Sequence, residues 1–480
     1  MARRTKIVAT LGPASSPPDR LDAMLRAGVD VVRLNLSHST VDEHLARLAD
    51  VRAAAARVGR QIAVLADLPG PKVRSGIFPD GGVLLVEGTV VRLVPGLAPC
   101  TAEVISVDYP SLCDDLRPGD SVILGDGAIT LRADAVGDGV VTTHVETGGR
   151  AQGRPGVHIP AERLRLKAPT PEDLRLVKIM AAAGVDFAAV SFVRSAEDIE
   201  AVRAAVGQGC PALVAKIETA PAIADIARIL VASDAVMVAR GDLGIECPLE
   251  DVPHLQKQII RACVEAGVPV ITATQMLESM ITAPAPTRAE VSDVANAVFD
   301  GTDAVMLSAE TAIGHSPELV VATMARIAER AESASNYPQW SARLGRVQRG
   351  SAESVPSSVR ITQALTHAAL LAATDAGCDA IICCTRSGAT ALAMARYRPT
   401  AALLGLSPSD ATVRRMALSW GVSPVKVDEY ASTDEMVWFA IEAALRSGIV
   451  RQGQLVAVLA GAPDQSGDGA TDVLRLVRVK

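Results

Sequence analysis

Two short segments place carboxylates and a lysine where a divalent cation and a small anion could meet. "AKIETA" sets Lys216 two residues before Glu218, and "VARGDLGIE" supplies Arg240, Gly241 and Asp242. Residues two apart on a strand share a face, so Lys216 and Glu218 point the same way. Read as strand exits, Glu218 and Asp242 stand at equivalent levels of neighbouring strands. Two carboxylates completed by water and substrate oxygens suit Mg²⁺, which seldom takes an all-protein cage. The same pair could instead cap a helix or hold an arginine. Lys216 has three open roles: a structural ion-pair partner, a Schiff-base nucleophile, or an electrostatic catalyst beside a metal. The glycine turn could offer backbone N–H groups to an anion at a helix start. Arg33, Asn35 and Ser37 share a face in "VVRLNLS", and Thr272, Thr274, Ser308 and Glu310 close two later runs. Together these groups describe a site for a small, strongly anionic substrate. Phosphoryl transfer, which depends on positioning and charge neutralisation, fits that inventory.

Each group ends a short apolar run. Such runs occupy residues 5–12, 29–37, 61–67, 185–192, 212–218, 234–242, 269–275 and 303–310. Near-continuous apolar strands suit a parallel sheet covered on both faces. Helix-like segments lie between most of them; 253–267 is the clearest, with Gly267 as its stop. Eight strands alternating with helices predict a (β/α)8 barrel whose chemistry gathers at the C-terminal strand ends. A doubly wound sheet is the alternative. Residues 68–161 break the rhythm with short strands and Gly/Pro turns, which reads as a small β domain inserted after the third strand. The expected division is a barrel over 1–67 and 162–336, the inserted β lid over 68–161, a linker over 337–356 and a C-terminal α/β domain with an open sheet over 357–480. In that last unit "CDAIICCTRSGATALAMARYRP" reads as strand, turn and helix. Its turn could bind a phosphate or be an ordinary helix N-cap.

The formal charge of -7 over 480 residues is mild and the chain has few aromatics, so neither nucleic acid nor a membrane surface is an expected partner. No C-x-x-C pair occurs among the eight cysteines, which suits reduced, buried thiols. No signal peptide or membrane-spanning stretch is expected, which points to a cytoplasmic protein.

The runs "TKIVATLGPAS", "VVRLNLSH", "GDGAITL", "SFVRSAED", "AKIET", "VARGDLGIE", "ATQMLESMI", "PTRAEVSDVANAVFDGTDAVMLSAETA" and "ARYRP" resemble the pyruvate kinase family, in its order, from about Arg4 to the C-terminus. The resemblance implies transfer of the phosphoryl group of phosphoenolpyruvate to ADP, with Mg²⁺, or Mn²⁺ in its place. It implies that Arg33 holds the transferring phosphate and that Lys216 stabilises the transition state and enolate. Glu218 and Asp242 would hold Mg²⁺. The amides of Gly241 and Asp242, with Thr274, would take the substrate carboxylate. Thr274 and Ser308 stand where the family relays a proton to the enolate carbon. Arg74, Asn35 and His38 would face the nucleotide. Thr385, Arg386, Ser387, Gly388 and Thr390 would receive the phosphate of an effector, a sugar phosphate or a nucleotide. The family also suggests a homotetramer.

Several positions depart from the family's pattern. Thr219, His158 and Ala309 stand for Asn, Asn and Gly. Pro155 stands where many members carry a nucleotide-contacting lysine, beside Arg154 as a substitute, and the loop 461–472 differs from the usual effector loop. Many members bind K⁺ at positions equivalent to Asn35, Ser37, Asp67 and 68, but Leu68 has no hydroxyl. Lys72 replaces an acid, and in the family a lysine there goes with independence from K⁺.

Overall fold

The computed structural model describes residues 3–125, 127, 129–160, 163–350, 357–429, 433–461 and 471–480. Eight of the apolar runs form β1 (Lys6–Thr10), β2 (Val31–Asn35), β3 (Ala63–Asp67), β4 (Phe187–Val190), β5 (Ala212–Ile217), β6 (Ala235–Ala239), β7 (Val270–Ala273) and β8 (Ala304–Leu307). Each is parallel to its neighbours, and β1 pairs with both β2 and β8, so the sheet closes. Closure removes the doubly wound alternative.

Strand periodicity explains the run composition. Val8, Val31, Leu65, Phe187, Val214, Met237, Ile271 and Met306 fill the interior. The alternate residues, such as Ile7, Val32, Val64, Leu213 and Val236, pack outward against the helices. Both faces are dry, so both are apolar.

The lid insert follows β3. Its main sheet has six strands, including the long hairpin Ile129–Gly137 and Val140–Thr147. Asp138 and Gly139 join that hairpin with φ of 52° and 74°. Two left-handed residues in a row give the turn that matches strand twist, and Asp-Gly is the pair that tolerates it. The insert has its own core around Phe78, Leu93, Ile105, Leu131 and Val145.

In the C-terminal unit, Ala380–Cys384, Ala402–Ser407, Val422–Lys426 and Leu455–Ala460 run parallel, with Val473–Arg478 antiparallel at one edge. All eight cysteines are free thiols. Among the described residues, no helix is long and apolar enough to cross a membrane.

The stretch expected as a linker is ordered through residue 350: Tyr337–Gly350 is a helix. Tertiary contacts explain it. Tyr337 packs edge-on against Trp420, with ring centroids 5.2 Å apart, and the Trp340 indole N–H donates to the Arg396 carbonyl at 3.3 Å. Residues 351–356 lie outside the described residues.

The C-terminal unit closes the barrel's lower mouth. Ala417 and Leu418 join the interior apolar cluster of the barrel. Trp420 lies beneath the guanidinium groups of Arg4 and Arg398, which are 5.3 and 4.8 Å from its ring centre. Arg398 also pairs with Asp303 at 2.8 Å. The buried Lys6 ammonium donates to the Val422 carbonyl at 2.8 Å. Burial pulls the Lys6 pKa from its ordinary 10.5 down to about 8, against the pull of Asp30. Below that value the amine is charged whether folded or not, and folding carries the full cost of burying it, about 3 kcal/mol. Above it the folded chain releases the proton first, so stability rises with pH up to the unfolded value. The thermal midpoint of the wild type should therefore gain a component that rises between pH 8 and 10.5, and Lys6→Met should lack it. Calorimetry across that range checks it.

Candidate active site

The interior parity of each strand carries on to its C-terminal end, where the apolar residues stop. Thr10, Arg33, Asp67, Ser191 and Lys216 continue the inward series of β1 to β5 and join one polar network. Arg33 Nε donates to Asp67 Oδ2 at 2.6 Å, and its Nη1 donates to Thr10 Oγ1 at 3.1 Å. Lys216 Nζ lies 3.3 Å from Asp67 Oδ1 and 2.9 Å from Glu218 Oε1, and donates to Ser191 Oγ at 2.7 Å. Burial alone would raise the Asp67 pKa, but the charges of Lys216 and Arg33 outweigh it and hold the carboxyl below its usual range. Burial alone would lower the Lys216 pKa, but Asp67 and Glu218 reverse that and raise it. Two carboxylates beside it favour the ammonium form, which suits an electrostatic role better than a Schiff-base nucleophile.

Glu218 lies just beyond β5, fully buried, and its Oε2 accepts the Phe192 N–H at 2.7 Å. Burial pushes its pKa up to about 7, with Lys216 opposing and Asp242 adding to the rise. Its Oε1 pairs with Lys216 by distance yet has no partner with hydrogen-bond geometry. Asp242 is not on a strand: β6 ends at Ala239, and the helix Arg240–Glu246 begins there. Its carboxylate is therefore a first-turn group that lines the cleft, not one level with Glu218 on a neighbouring strand. Among the described residues no cluster of three metal-ligating side chains forms. A buried carboxylate whose Oε1 meets only the Lys216 ammonium, with the acid Asp242 near enough to raise its pKa, fits a hard cation that completes its shell with substrate oxygens and water.

Thr274 follows β7 with φ 71°, and Gln275 with 53°. A β-branched residue in that region is strained. Thr274 Oγ1 accepts the Gly241 N–H at 2.8 Å and donates to the Ala273 carbonyl at 2.6 Å. Arg240 turns away from the cleft to hold this turn: it donates to the carbonyls of Ala273 at 3.2 Å and Thr274 at 2.5 Å, and pairs with Asp293 at 2.7 Å. Thr272 belongs to the core, where its hydroxyl donates to Thr302 Oγ1 at 3.0 Å. Ser308 is fixed by the buried Glu310, which accepts its N–H at 2.6 Å and that of Leu277 at 3.2 Å.

On the lid side, Asn35 Oδ1 accepts the Ser37 N–H at 3.2 Å, and Lys72 Nζ donates to Ser37 Oγ at 3.0 Å. Leu68 is buried and apolar. Desolvation, then the charge of Lys216, lowers the Lys72 pKa. Burial and the charges of Lys72, Arg74 and Arg33 lower that of His38, so these four groups share one neighbourhood. The His38 carbonyl is held by His44 Nε2 at 2.6 Å. A cleft of about 200 Å³ between lid and barrel is lined by Lys72, Arg74, His158, Arg194, Thr219 and Asp242. Arg154 is tied inside the lid, to the Ser75 carbonyl at 3.0 Å and Asp108 at 2.8 Å, and Pro155 accepts the Ser75 N–H. Thr219 caps the helix Ala220–Ala224, and Ala309 opens the helix Ala309–Ala312.

The C-terminal turn lies between Ala380–Cys384 and the helix Ala389–Ala395. Thr385 Oγ1 accepts the Gly388 N–H at 2.9 Å, Ser387 Oγ accepts that of Ala389 at 3.4 Å, and Thr390 Oγ1 bonds Thr471 Oγ1 at 2.7 Å. The Arg386 carbonyl accepts from Thr412 Oγ1 at 2.7 Å. Residues 462–470 of the facing loop lie outside the described residues.

Sequence reading missed Thr10, Ser191 and His44. Strand parity, carried to the polar end of each run, finds Thr10 and Ser191; nothing local marks His44.

A closed parallel barrel with a capping lid, two cations sharing one acid and two further carboxylates at the strand ends defines a barrel enzyme acting on a small anionic substrate. Residues 2–321 match the family described as pyruvate kinase, barrel domain, and 363–477 match pyruvate kinase, alpha/beta domain. The chain is 42% identical over 482 residues to the pyruvate kinase of Geobacillus stearothermophilus, covering 99% of this chain and 80% of that one. It is 40% identical over 478 residues to that of Methylorubrum extorquens, covering 100% and 98%. For Clostridium acetobutylicum the identity is 37%, with 99% of each chain covered. The chain belongs to the pyruvate kinase family, phosphotransferases that convert phosphoenolpyruvate and ADP to pyruvate and ATP.

Asp67 is the shared partner of both inner cations. Asp67→Asn should lower kcat roughly a hundredfold and reduce stability by about 3 kcal/mol, because it leaves the buried Arg33 guanidinium without its carboxylate and Lys216 with Glu218 alone. Steady-state kinetics and chemical denaturation check both effects.

Proposed function

We propose that the polar layer at the strand ends carries out phosphoryl transfer from phosphoenolpyruvate to ADP with Mg²⁺. The observation that carries this reading is the Arg33–Asp67–Lys216 network set beside the buried Glu218 carboxylate. Arg33 holds the transferring phosphate with N–H groups left free by Asp67. Lys216 keeps a fixed ammonium where charge develops on the phosphoryl group and on the enolate. A charge already oriented at a buried site needs no reorganisation during the reaction. Glu218 and Asp242 would hold Mg²⁺, which supplies charge neutralisation and a template for phosphate oxygens. Thr274 and the amides of Gly241 and Asp242 take the carboxylate; the Gly241 N–H exchanges its bond to Thr274 for one to substrate. Thr274 and Ser308 flank the route of the proton to the enolate carbon. Arg74, Asn35 and His38 face the nucleotide phosphates. The inserted domain closes over them as a lid, with its contacts set by Arg74 rather than by the tied Arg154.

Lys72 supplies the charge that K⁺ provides in many relatives. Its bond to Ser37 Oγ and the apolar side chain at Leu68 support this reading. The turn Thr385–Gly388 and Thr390 would take an effector phosphate, and the native assembly would be a homotetramer.

A coupled assay for pyruvate with phosphoenolpyruvate and ADP tests the reading. Lys216→Met should lower kcat by about 10²–10³ and leave circular dichroism unchanged; near-normal turnover removes Lys216 from the mechanism. Chelation of Mg²⁺ should abolish turnover. With Mg²⁺ present, replacing K⁺ by Na⁺ should leave the rate within about twofold, because the tethered ammonium already supplies the local charge. Strong activation by K⁺ would remove the role given to Lys72.

A further inference from the structure

We propose that Ser191 is a positioning residue that ties the lid hinge to the Lys216 ammonium. It follows β4 on the interior side and is 2% exposed. Its oxygen accepts from Lys216 Nζ at 2.7 Å, and its hydroxyl donates to the Leu68 carbonyl at 2.7 Å. Leu68 is the first residue after β3, and its N–H donates to the Ala189 carbonyl at 2.9 Å. The hinge thus meets the end of β4 through both of its backbone groups. Contact continues at Gly70, with φ 70°, where a Cβ would fall 2.8 Å from the Ser191 Cβ and from the Phe192 ring. Only glycine lets the hinge backbone run this close to Ser191 and Phe192.

A serine has one proton to donate. While the Leu68 carbonyl takes it, the oxygen lone pairs are left for Lys216. If the hinge swings the carbonyl away, the nearest alternative acceptor is Asp67 Oδ1, 3.5 Å from the hydroxyl. That atom is also the one Lys216 holds at 3.3 Å. An open hinge therefore turns the Ser191 hydroxyl, and with it the oxygen that Lys216 holds, toward Asp67, and a closed hinge returns it. Phe192, with φ 55°, passes the same movement to Glu218 through its N–H.

The inference rests on the catalytic role proposed for Lys216, so its test has one readout that does not depend on that role. Ser191→Ala should lower kcat about tenfold and leave the KM for phosphoenolpyruvate within about twofold, while Ser191→Thr, which keeps the hydroxyl, should recover to within about threefold of wild type. The Leu68 and Gly70 amides are hydrogen-bonded, Gly70 to Asp173 Oδ1 at 3.0 Å, so hydrogen exchange reports on the hinge. In wild type, phosphoenolpyruvate with Mg²⁺ should slow exchange of the peptide carrying them about fivefold or more, and in Ser191→Ala by less than about twofold. A kcat for Ser191→Ala within twofold of wild type, or ligand-induced slowing undiminished in that variant, would overturn the proposal. Should Ser191→Thr fail to fold beside Gly70, exchange in Ser191→Ala decides. Full turnover in Lys216→Met would remove the role of the lysine, and the exchange result would still judge the link to the hinge.

Discussion

One buried carboxylate holds the site together. Asp67 is 1% exposed and faces two cations: it is the carboxylate paired with Arg33, and it shares Lys216 with Glu218. An isolated buried charge is expensive, and removing one partner of such a pair leaves the other uncompensated. The arrangement is thus mutually conditional: Arg33 and Lys216 are fixed because Asp67 is, and Asp67 is ionised because they are charged. Binding of a phosphate can then draw on N–H groups already oriented, with little further ordering. Asp67 also ends β3, and the next residue starts the lid hinge. The same short stretch of chain sets the charge pattern of the site and the origin of the inserted domain.

Around this centre, backbone strain gathers at strand exits. Phe192, Thr274 and Gln275 all have positive φ without being glycine. Each is held by a specific polar contact: Glu218 on the Phe192 N–H, and Arg240 on the carbonyls of Thr274 and Gln275. Strain of this kind costs about 1–3 kcal/mol per residue and persists only where the surroundings enforce it. At Thr274 and Gln275 it is enforced by Arg240, which turns away from the cleft. Arg240 and Glu310 are spent on holding loops, which explains why residues that read as strand-end chemistry in the sequence turn out to be supports.

The barrel was legible because its physics is local. A strand buried on both faces must be apolar throughout, and eight such runs ending in polar residues leave few alternatives. Lys216 and Glu218 could be paired from spacing alone, since strand periodicity is rigid. Asp242 was misplaced because the change from strand to helix at Arg240 has no marker in "VARGDLG" stronger than a glycine. The helix over 337–350 was missed for a different reason. Its stability comes from Tyr337 and Trp340 meeting Trp420 and Arg396, partners more than 50 positions away in the chain, so composition alone reads as a linker. Ser191 and Thr10 were within reach: each is the next inward position of its strand, but single hydroxyls do not announce themselves as the bridge between two charged neighbours.

The two ends of the barrel show the same rule with opposite outcomes. Inward positions at the upper end are polar because substrate must be met there. At the lower end they stay apolar, and the C-terminal unit covers them with Ala417 and Leu418. Around that plug lies a ring of buried charge, with Arg398 on Asp303, Lys6 on the Val422 carbonyl, and Arg414 on Asp186 at 2.7 Å. Lys6 starts β1, whose far end carries Thr10 and through it Arg33. Asp186 stands just before β4, whose far end leads into Ser191 and Phe192. Contacts of the C-terminal unit therefore fall on the starts of strands whose far ends lead to the hydroxyls bonded to Arg33 and Lys216.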